Sequence, residues 1–255
     1  MPHGVSWFTF LPGYKTFEEF LNAQLGRSFI AKNDLVAQHI FGAILVFLII
    51  IILALIARAF LIRNRENVIG EPRLTVAGFF DVLFEMLLNQ MRSIIGHDAE
   101  EHFPFVATII LFILFSNLLG LIPGFLPPTN NLNTTAACAI SVFLYYHYIG
   151  IKRQGLIKYL LHMANPIGEW WGYFLSWLMF PIELIGHLAR PLSLSLRLMG
   201  NMTGDHAVLA IFLGLIPFVI PMPFMLLGLI VALVQAFIFA ILTCVYIALA
   251  QAHEE

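Results

Sequence analysis

The chain has 255 residues, of which 60% are hydrophobic and 11% charged, with a formal net charge of −2 and a mean hydropathy of +0.89. Soluble domains carry about 25% charged residues, and a soluble monomer does not tolerate the apolar surface this composition would expose. Those values exclude a water-soluble domain and a basic nucleic-acid binder, and they make lipid the solvent.

The first twenty residues, MPHGVSWFTFLPGYKTFEEF, lack the basic n-region and long apolar h-region of a cleaved signal peptide. Residues 1–34 therefore read as an outer-side N-terminal segment ahead of a membrane domain, 35–255. The apolar run from Leu35 to Ala57 has 23 residues, enough for one span across a core that needs about 20, and the helix extends to about residue 62. Arg58, Arg63, Arg65 and Arg73 follow it. In the next segment, 74–95, Asp81, Glu85, Asn89 and Arg92 recur at helical spacing on one face, and Phe79, Phe80, Leu83, Phe84, Leu87 and Leu88 supply the apolar remainder. This pattern predicts an amphipathic helix at the interface or along a polar seam.

After the acidic cluster HDAEEH (97–102), a span is expected over 103–122. The proline- and asparagine-rich PGFLPPTNNLNTT (123–135) ends that helix and caps the next, 136–151, which stops before Lys152 and Arg153. An apolar stretch over 169–213 carries Glu169, Glu183, His187, Arg190, Arg197, Asp205 and His206, and the turn IPFVIPMPF (216–224) leads into a last helix over 222–250. Basic residues collect after the first span and after 136–151, whereas 123–135 has no charge. Cytoplasmic loops carry the positive excess, so the N-terminus lies outside and the C-terminus inside. Cys138 and Cys244 sit in apolar runs and read as core residues; His97, His102, His147 and His162 read as interfacial histidines. The expected fold is an all-α polytopic membrane protein: about five membrane-embedded helices plus an amphipathic interfacial helix.

The 169–213 segment is the unusual one. Its 45 residues would make a straight helix about 68 Å long, against a hydrocarbon core of ~30 Å. It is therefore expected to be a long, strongly tilted penultimate helix, packed as a hairpin with the last, with Pro181 and Pro191 as places to bend. At about 100° per residue, Glu183, His187, Arg190 and Asn201 all fall within a quarter-turn of Arg197. Ionisable groups at this depth cost about 2.5–3.5 kcal/mol each on insertion scales, so they mark function or an internal ion-pair network. For Glu183, His187 and Arg190 both readings stay open. Arg197 has no acid nearby on its face, and its charge cannot be removed. Ser193, Ser195, Gly200 and Gly204 beside it let another helix approach closely. A permanent cation in such a surface calls for a carboxylate outside this chain. Counted from Pro217, Arg197 lies 20 residues before the turn and Gln235 lies 18 after, so a hairpin brings the two to about the same level. Gln235 then either orients the guanidinium or makes a lone inter-helix hydrogen bond.

FPIELIGHLARPLSLSLRLMGNMTGDH (180–206) and LVQAFIFAILTCVYIALAQAHEE (233–255), with FSNLLGLIPGF (115–125) and PTNNLNTT (128–135), resemble subunit a of the F-type ATP synthase. The resemblance covers roughly 100–251 well and the first spans loosely. It implies a stationary subunit that faces a rotating ring of c subunits and is held by b-type peripheral stalk subunits. Two aqueous half-channels pass protons to and from the ring carboxylates. Arg197 matches the family's essential arginine. Glu183, Ser193, Asn201 and Gln235 match positions tied to the channels or to arginine placement, Glu183 and Ser193 on the cytoplasmic side and Asn201 on the outer side. His187, on the same face, joins the proton path. The family often has an acid nine residues after the arginine and a histidine seven before the glutamine; here those positions hold His206 and Gly228, so His206 and neighbouring Asp205 are the candidates for the outer relay. The resemblance implies no cofactor, no metal and no active site for ATP chemistry in this chain, and the absence of a transit peptide favours a bacterial or organelle-encoded chain, with a bacterial inner membrane as the expected location. A secondary transporter or channel would need its own substrate-binding polar cluster and often an internal repeat, and neither is visible. An intramembrane enzyme would need a nucleophile elbow or paired metal ligands, also not visible.

Overall fold

A computed structural model describes residues 6–10, 12–25, 37–63, 76–122, 124–155, 158–159, 172–215 and 221–251. Among these residues there are seven α-helices and no strand: α1 (Tyr14–Leu25), α2 (Gln38–Arg63), α3 (Val76–Ile95), α4 (Ala99–Leu119), α5 (Leu132–Gln154), α6 (Gly172–Leu215) and α7 (Pro221–Gln251). Hydrocarbon offers no partner to a backbone amide or carbonyl, so an apolar chain must satisfy both within each segment, as helices do. Among the described residues, four helices are long and apolar enough to cross a membrane: α2 over Gln38–Ala59, α4, α5 and α7.

α3 is two-faced as its spacing predicts, with Asp81, Glu85, Asn89 and Arg92 exposed and Phe80, Leu87 and Met91 buried. α4 begins at Ala99, earlier than the apolar run, because Glu100 and Glu101 occupy the first turn, where the helix dipole favours acids. α5 begins at Leu132, inside the polar stretch. Asn131 stands just before it in extended conformation and accepts the backbone N–H of Asn133 at 2.9 Å, so the asparagine run caps the helix instead of spacing it from the loop. α1 was not foreseen as a helix. Phe17 and Tyr14 pack on Phe41 of α2 at ring separations of 5.4 and 5.7 Å.

α7 is the hub, packing against α3, α4, α5 and α6. Every fourth residue from Gly228 through Ala232, Ala236 and Ala240 to Cys244 is small and buried, which lets the neighbouring backbones come close. Its other side, including Leu226, Leu227, Ile230, Leu233 and Val234, is exposed apolar surface suited to lipid.

The bundle has two chemically distinct ends. At one, which we call the basic end, Arg153 pairs with Asp98 at 2.5 Å, Lys152 with Glu101 at 3.3 Å and Arg92 with Glu100 at 2.5 Å. His102, read from sequence as interfacial, is only 2% exposed there; it meets the Tyr145 hydroxyl at 3.0 Å and Gln251 at 2.7 Å, tying the start of α4 to α5 and to the end of α7. At the other, the loop end, the Thr129 hydroxyl donates to Asn117 Oδ1 at 2.7 Å, and the Trp7 backbone N–H donates to the Gly124 carbonyl at 3.0 Å. Gly124 has φ +95° and lies so close to the Trp7 indole that no side chain fits between them.

Candidate functional site

α6 is a single helix of 44 residues, about 66 Å long, with Pro181 and Pro191 inside it. It packs along α5 and α7, running from the basic end to the loop end. Two side-chain bridges fix it to the rest of the bundle. The Tyr146 hydroxyl of α5 lies 3.1 Å from Nδ1 of His187, and the Thr203 hydroxyl donates to Asn130 Oδ1 at 2.5 Å. The bridges lie sixteen residues apart on α6, and their partners run the opposite way, from Tyr146 of α5 back to Asn130 in the turn just before α5, so α5 and α6 are antiparallel.

Arg197 sits between those bridges, about 15 Å beyond His187 and 9 Å before Thr203 along the helix. Its side chain is exposed, and among the described residues it has no hydrogen bond and no ion pair. Ser193 is exposed as well, and a Cβ built on Gly200 or Gly204 would meet nothing within 4 Å. Behind this open face, Leu194, Leu198 and Met202 are buried in the same core cluster as Ala236, Phe239 and Ala240 of α7. Arg197 thus stands on a bare, narrow ridge whose back is firmly packed. Gln235 on α7 is half-buried, next to Ala236.

Toward the basic end, Nε2 of His187 lies 3.2 Å from Glu183 Oε1. His187 is 9% exposed and Glu183 half-buried. Around them converge groups the sequence did not single out for this site. His147 stands 5.1 Å from the His187 ring and 4.4 Å from that of Tyr146, and Tyr159 lies 5.8 Å from His147. The Arg190 guanidinium lies 5.5 Å over the Tyr246 ring, an aromatic seat that lowers the cost of a cation in this setting. His147, read as interfacial, belongs to this cluster; His162 lies outside the described residues.

Toward the loop end, Asp205, Asn201 and His206 are half-buried. Asp205 Oδ2 is buried without a hydrogen-bond partner among the described residues. A buried polar atom without a protein partner is where water or a proton is needed. The His206 ring is set against Gly120 and Pro127: a Cβ on Gly120 would lie 2.5 Å from Nε2 of His206. Gly228 of α7 is buried close to Leu121, so α7 places no side chain at that position, and the histidine at this end is His206 of α6.

The expected site residues therefore fall into two groups, Glu183 with His187 and Asp205 with His206, on either side of Arg197. Tyr146 and His147 stand beside His187, and Gly120 stands beside His206. Their signal lay in contacts across tens of positions, which spacing within one helix does not carry. Among the described residues no three His, Cys, Asp or Glu side chains are grouped as metal ligands, and Cys138 and Cys244 are free thiols.

Residues 43–248 match the family described as ATP synthase A chain. The chain is 52% identical over 177 residues to ATP synthase subunit a of Geobacter sulfurreducens, covering 69% of this chain and 75% of that protein. It is 43% identical over 198 residues to ATP synthase subunit a of Bdellovibrio bacteriovorus, covering 78% and 84% respectively. To ATP synthase subunit a of Geotalea daltonii it is 45% identical over 199 residues, covering 78% and 82%.

Proposed function

The chain belongs to the ATP synthase A chain family, and from that premise we propose that it is the proton-translocating stator subunit of an F-type ATP synthase in a bacterial inner membrane. Its partners are the c-ring, which meets the Arg197 face, b-type peripheral stalk subunits and the surrounding lipid. The basic end is cytoplasmic and the loop end outer, following the positive-inside bias of Lys152 and Arg153.

The observation that carries this reading is the state of Arg197: an exposed cation without a partner among the described residues, midway between two clusters of ionisable groups. A carboxylate brought within ~4 Å of it at an effective dielectric of about 20 gains ~4 kcal/mol, or roughly three pKa units. That suffices to strip the proton from an acid whose pKa burial has raised. Since guanidinium does not deprotonate, protons cannot hop past Arg197 and must travel on the ring. Glu183, His187 and Ser193 serve the cytoplasmic half-channel. Asn201, Asp205 and His206 serve the outer one, and Gln235 holds the arginine's orientation. The membrane potential adds about 2.3 kcal/mol per charge per 100 mV.

The test is ATP-driven acidification of proteoliposomes holding the assembled complex with Arg197→Ala. Pumping is expected to be lost while the subunit remains inserted; normal coupled pumping overturns the reading.

A further inference from the structure

Tyr146 has no part in the reading above, yet it is the most enclosed polar side chain beside the cytoplasmic cluster. It is 1% exposed, ringed by Phe143 at 5.6 Å, His147 at 4.4 Å and Tyr246 at 5.9 Å. Its hydroxyl is 3.1 Å from Nδ1 of His187, 41 positions away, and the two rings lie nearly parallel, 27° apart. The other nitrogen of the same imidazole faces Glu183 at 3.2 Å. The imidazole thus bridges a phenol and a carboxylate.

Donor and acceptor inventory fixes the polarity of this chain of contacts. A carboxylate can only accept, so Nε2 of His187 must carry the hydrogen that points at Glu183. In a neutral imidazole the other nitrogen is then bare, and Nδ1 accepts the Tyr146 hydroxyl hydrogen. Both hydrogen bonds run the same way, from phenol to imidazole to carboxylate. Removing the phenol oxygen would free Nδ1 to take the hydrogen and let the ring turn, and Glu183 would lose its fixed donor.

We propose that Tyr146 is a positioning residue of the proton path: its hydroxyl selects the Nε2–H tautomer of His187 and thereby holds the Glu183 carboxylate in place. This rests on the assignment of Glu183 to the cytoplasmic half-channel. His147 and Arg190 also face the His187 ring, the first at 5.1 Å and the second through its charge, and neither donates to Nδ1 among the described contacts. The selection therefore falls to Tyr146. The principle is the one by which an outer partner sets which nitrogen of a working histidine is protonated.

The experiment uses the assembled complex in proteoliposomes, with two readouts. The first is nitrogen-15 magic-angle-spinning NMR of histidine-labelled complex, with the His187 signals identified by their loss in His187→Gln. Wild type is expected to show a protonated Nε2 and a bare Nδ1, and Tyr146→Phe a mixture of tautomers. The second is passive proton flux, expected to fall in Tyr146→Phe between about threefold and tenfold, the size set by one net hydrogen bond. Acting through Glu183, Tyr146→Phe should add nothing further to Glu183→Gln in the double variant. A wild-type His187 protonated on Nδ1 overturns the proposal, and this spectrum needs no variant that might misfold. Multiplying effects in the double variant, or unchanged flux in Tyr146→Phe, also overturn it. Failure of the parent reading is separate, since it appears as normal pumping by Arg197→Ala.

Discussion

The ring of His206 occupies the space that a side chain at Gly120 would need: a Cβ there would approach Nε2 to 2.5 Å and the Pro127 ring to 2.8 Å. The proline cannot swing aside, so the histidine must. Gly120→Ala is expected to displace His206, to cost roughly 1–3 kcal/mol of stability as an overpacked site, and to slow passive proton flux. In Gly120→Ala with His206→Ala the stability should recover only in part, because the Pro127 contacts remain, while the flux stays low. Flux in Gly120→Ala equal to wild type would remove the contact from the outer path.

His206→Ala alone should slow proton entry from the loop end without loosening the bundle, since it opens space beside a glycine. Passive flux driven from that side measures this, and an unchanged rate takes His206 out of the relay.

Arg197→Lys keeps the charge but introduces a group that can give up its proton and lacks the planar fork. ATP-driven acidification is expected to fail in this variant as in Arg197→Ala. Coupled pumping near the wild-type rate would show that any cation suffices.

At the basic end the Arg153 guanidinium hydrogen-bonds Asp98 and holds its carboxyl below the usual carboxylate range. A folded-state pKa below the unfolded one stabilises the fold above the unfolded value, about 3.9. That contribution is lost as pH falls through the folded value. Melting of the detergent-solubilised chain should therefore be insensitive to this pair from neutral pH down to about 4 and weaken below. Arg153→Ala should lower the melting temperature slightly at neutral pH, within the ~1 kcal/mol typical of an exposed pair. It should also remove this pair's share of the acid sensitivity. A full-size acid transition in the variant would assign that sensitivity elsewhere.

His102→Ala should be more damaging, because it leaves the Gln251 amide and the Tyr145 hydroxyl without their partner in a buried place. About 1–3 kcal/mol is expected, read as a lower melting temperature with α7 fraying from its end.

Reading the sequence went furthest where one helix decides its own fate. The apolar run before Arg58, helical from Gln38 where it is described, and the two faces of α3 are local patterns, and they appear as expected. The site residues on α6 were reachable for the same reason, being charges in an apolar helix. The starts of α4 and α5 were missed because the dipole at Glu100 and the cap at Asn131 extend helices into polar sequence. α1 was missed although Phe17, Phe20 and Leu21 stand at helical spacing, because polar neighbours diluted the signal. His102 and His147 looked interfacial because their partners are distant: His102 meets Gln251 from 149 positions away. Tyr146 carried no signal at all, being one tyrosine among aromatics.

The two bridges to α6, from Tyr146 of α5 and from Asn130 in the turn before it, also have a mechanical meaning. A helix tied at His187 and again at Thr203 is a beam pinned at two points, with Arg197 on the length between them, which is held only by apolar packing of Leu194, Leu198 and Met202. A sideways load applied at Arg197 is then shared by both supports and passed into α5, so the helix cannot pivot about either one. Loosening one support turns the beam into a lever, and the height of Arg197 in the membrane would wander with every passing load.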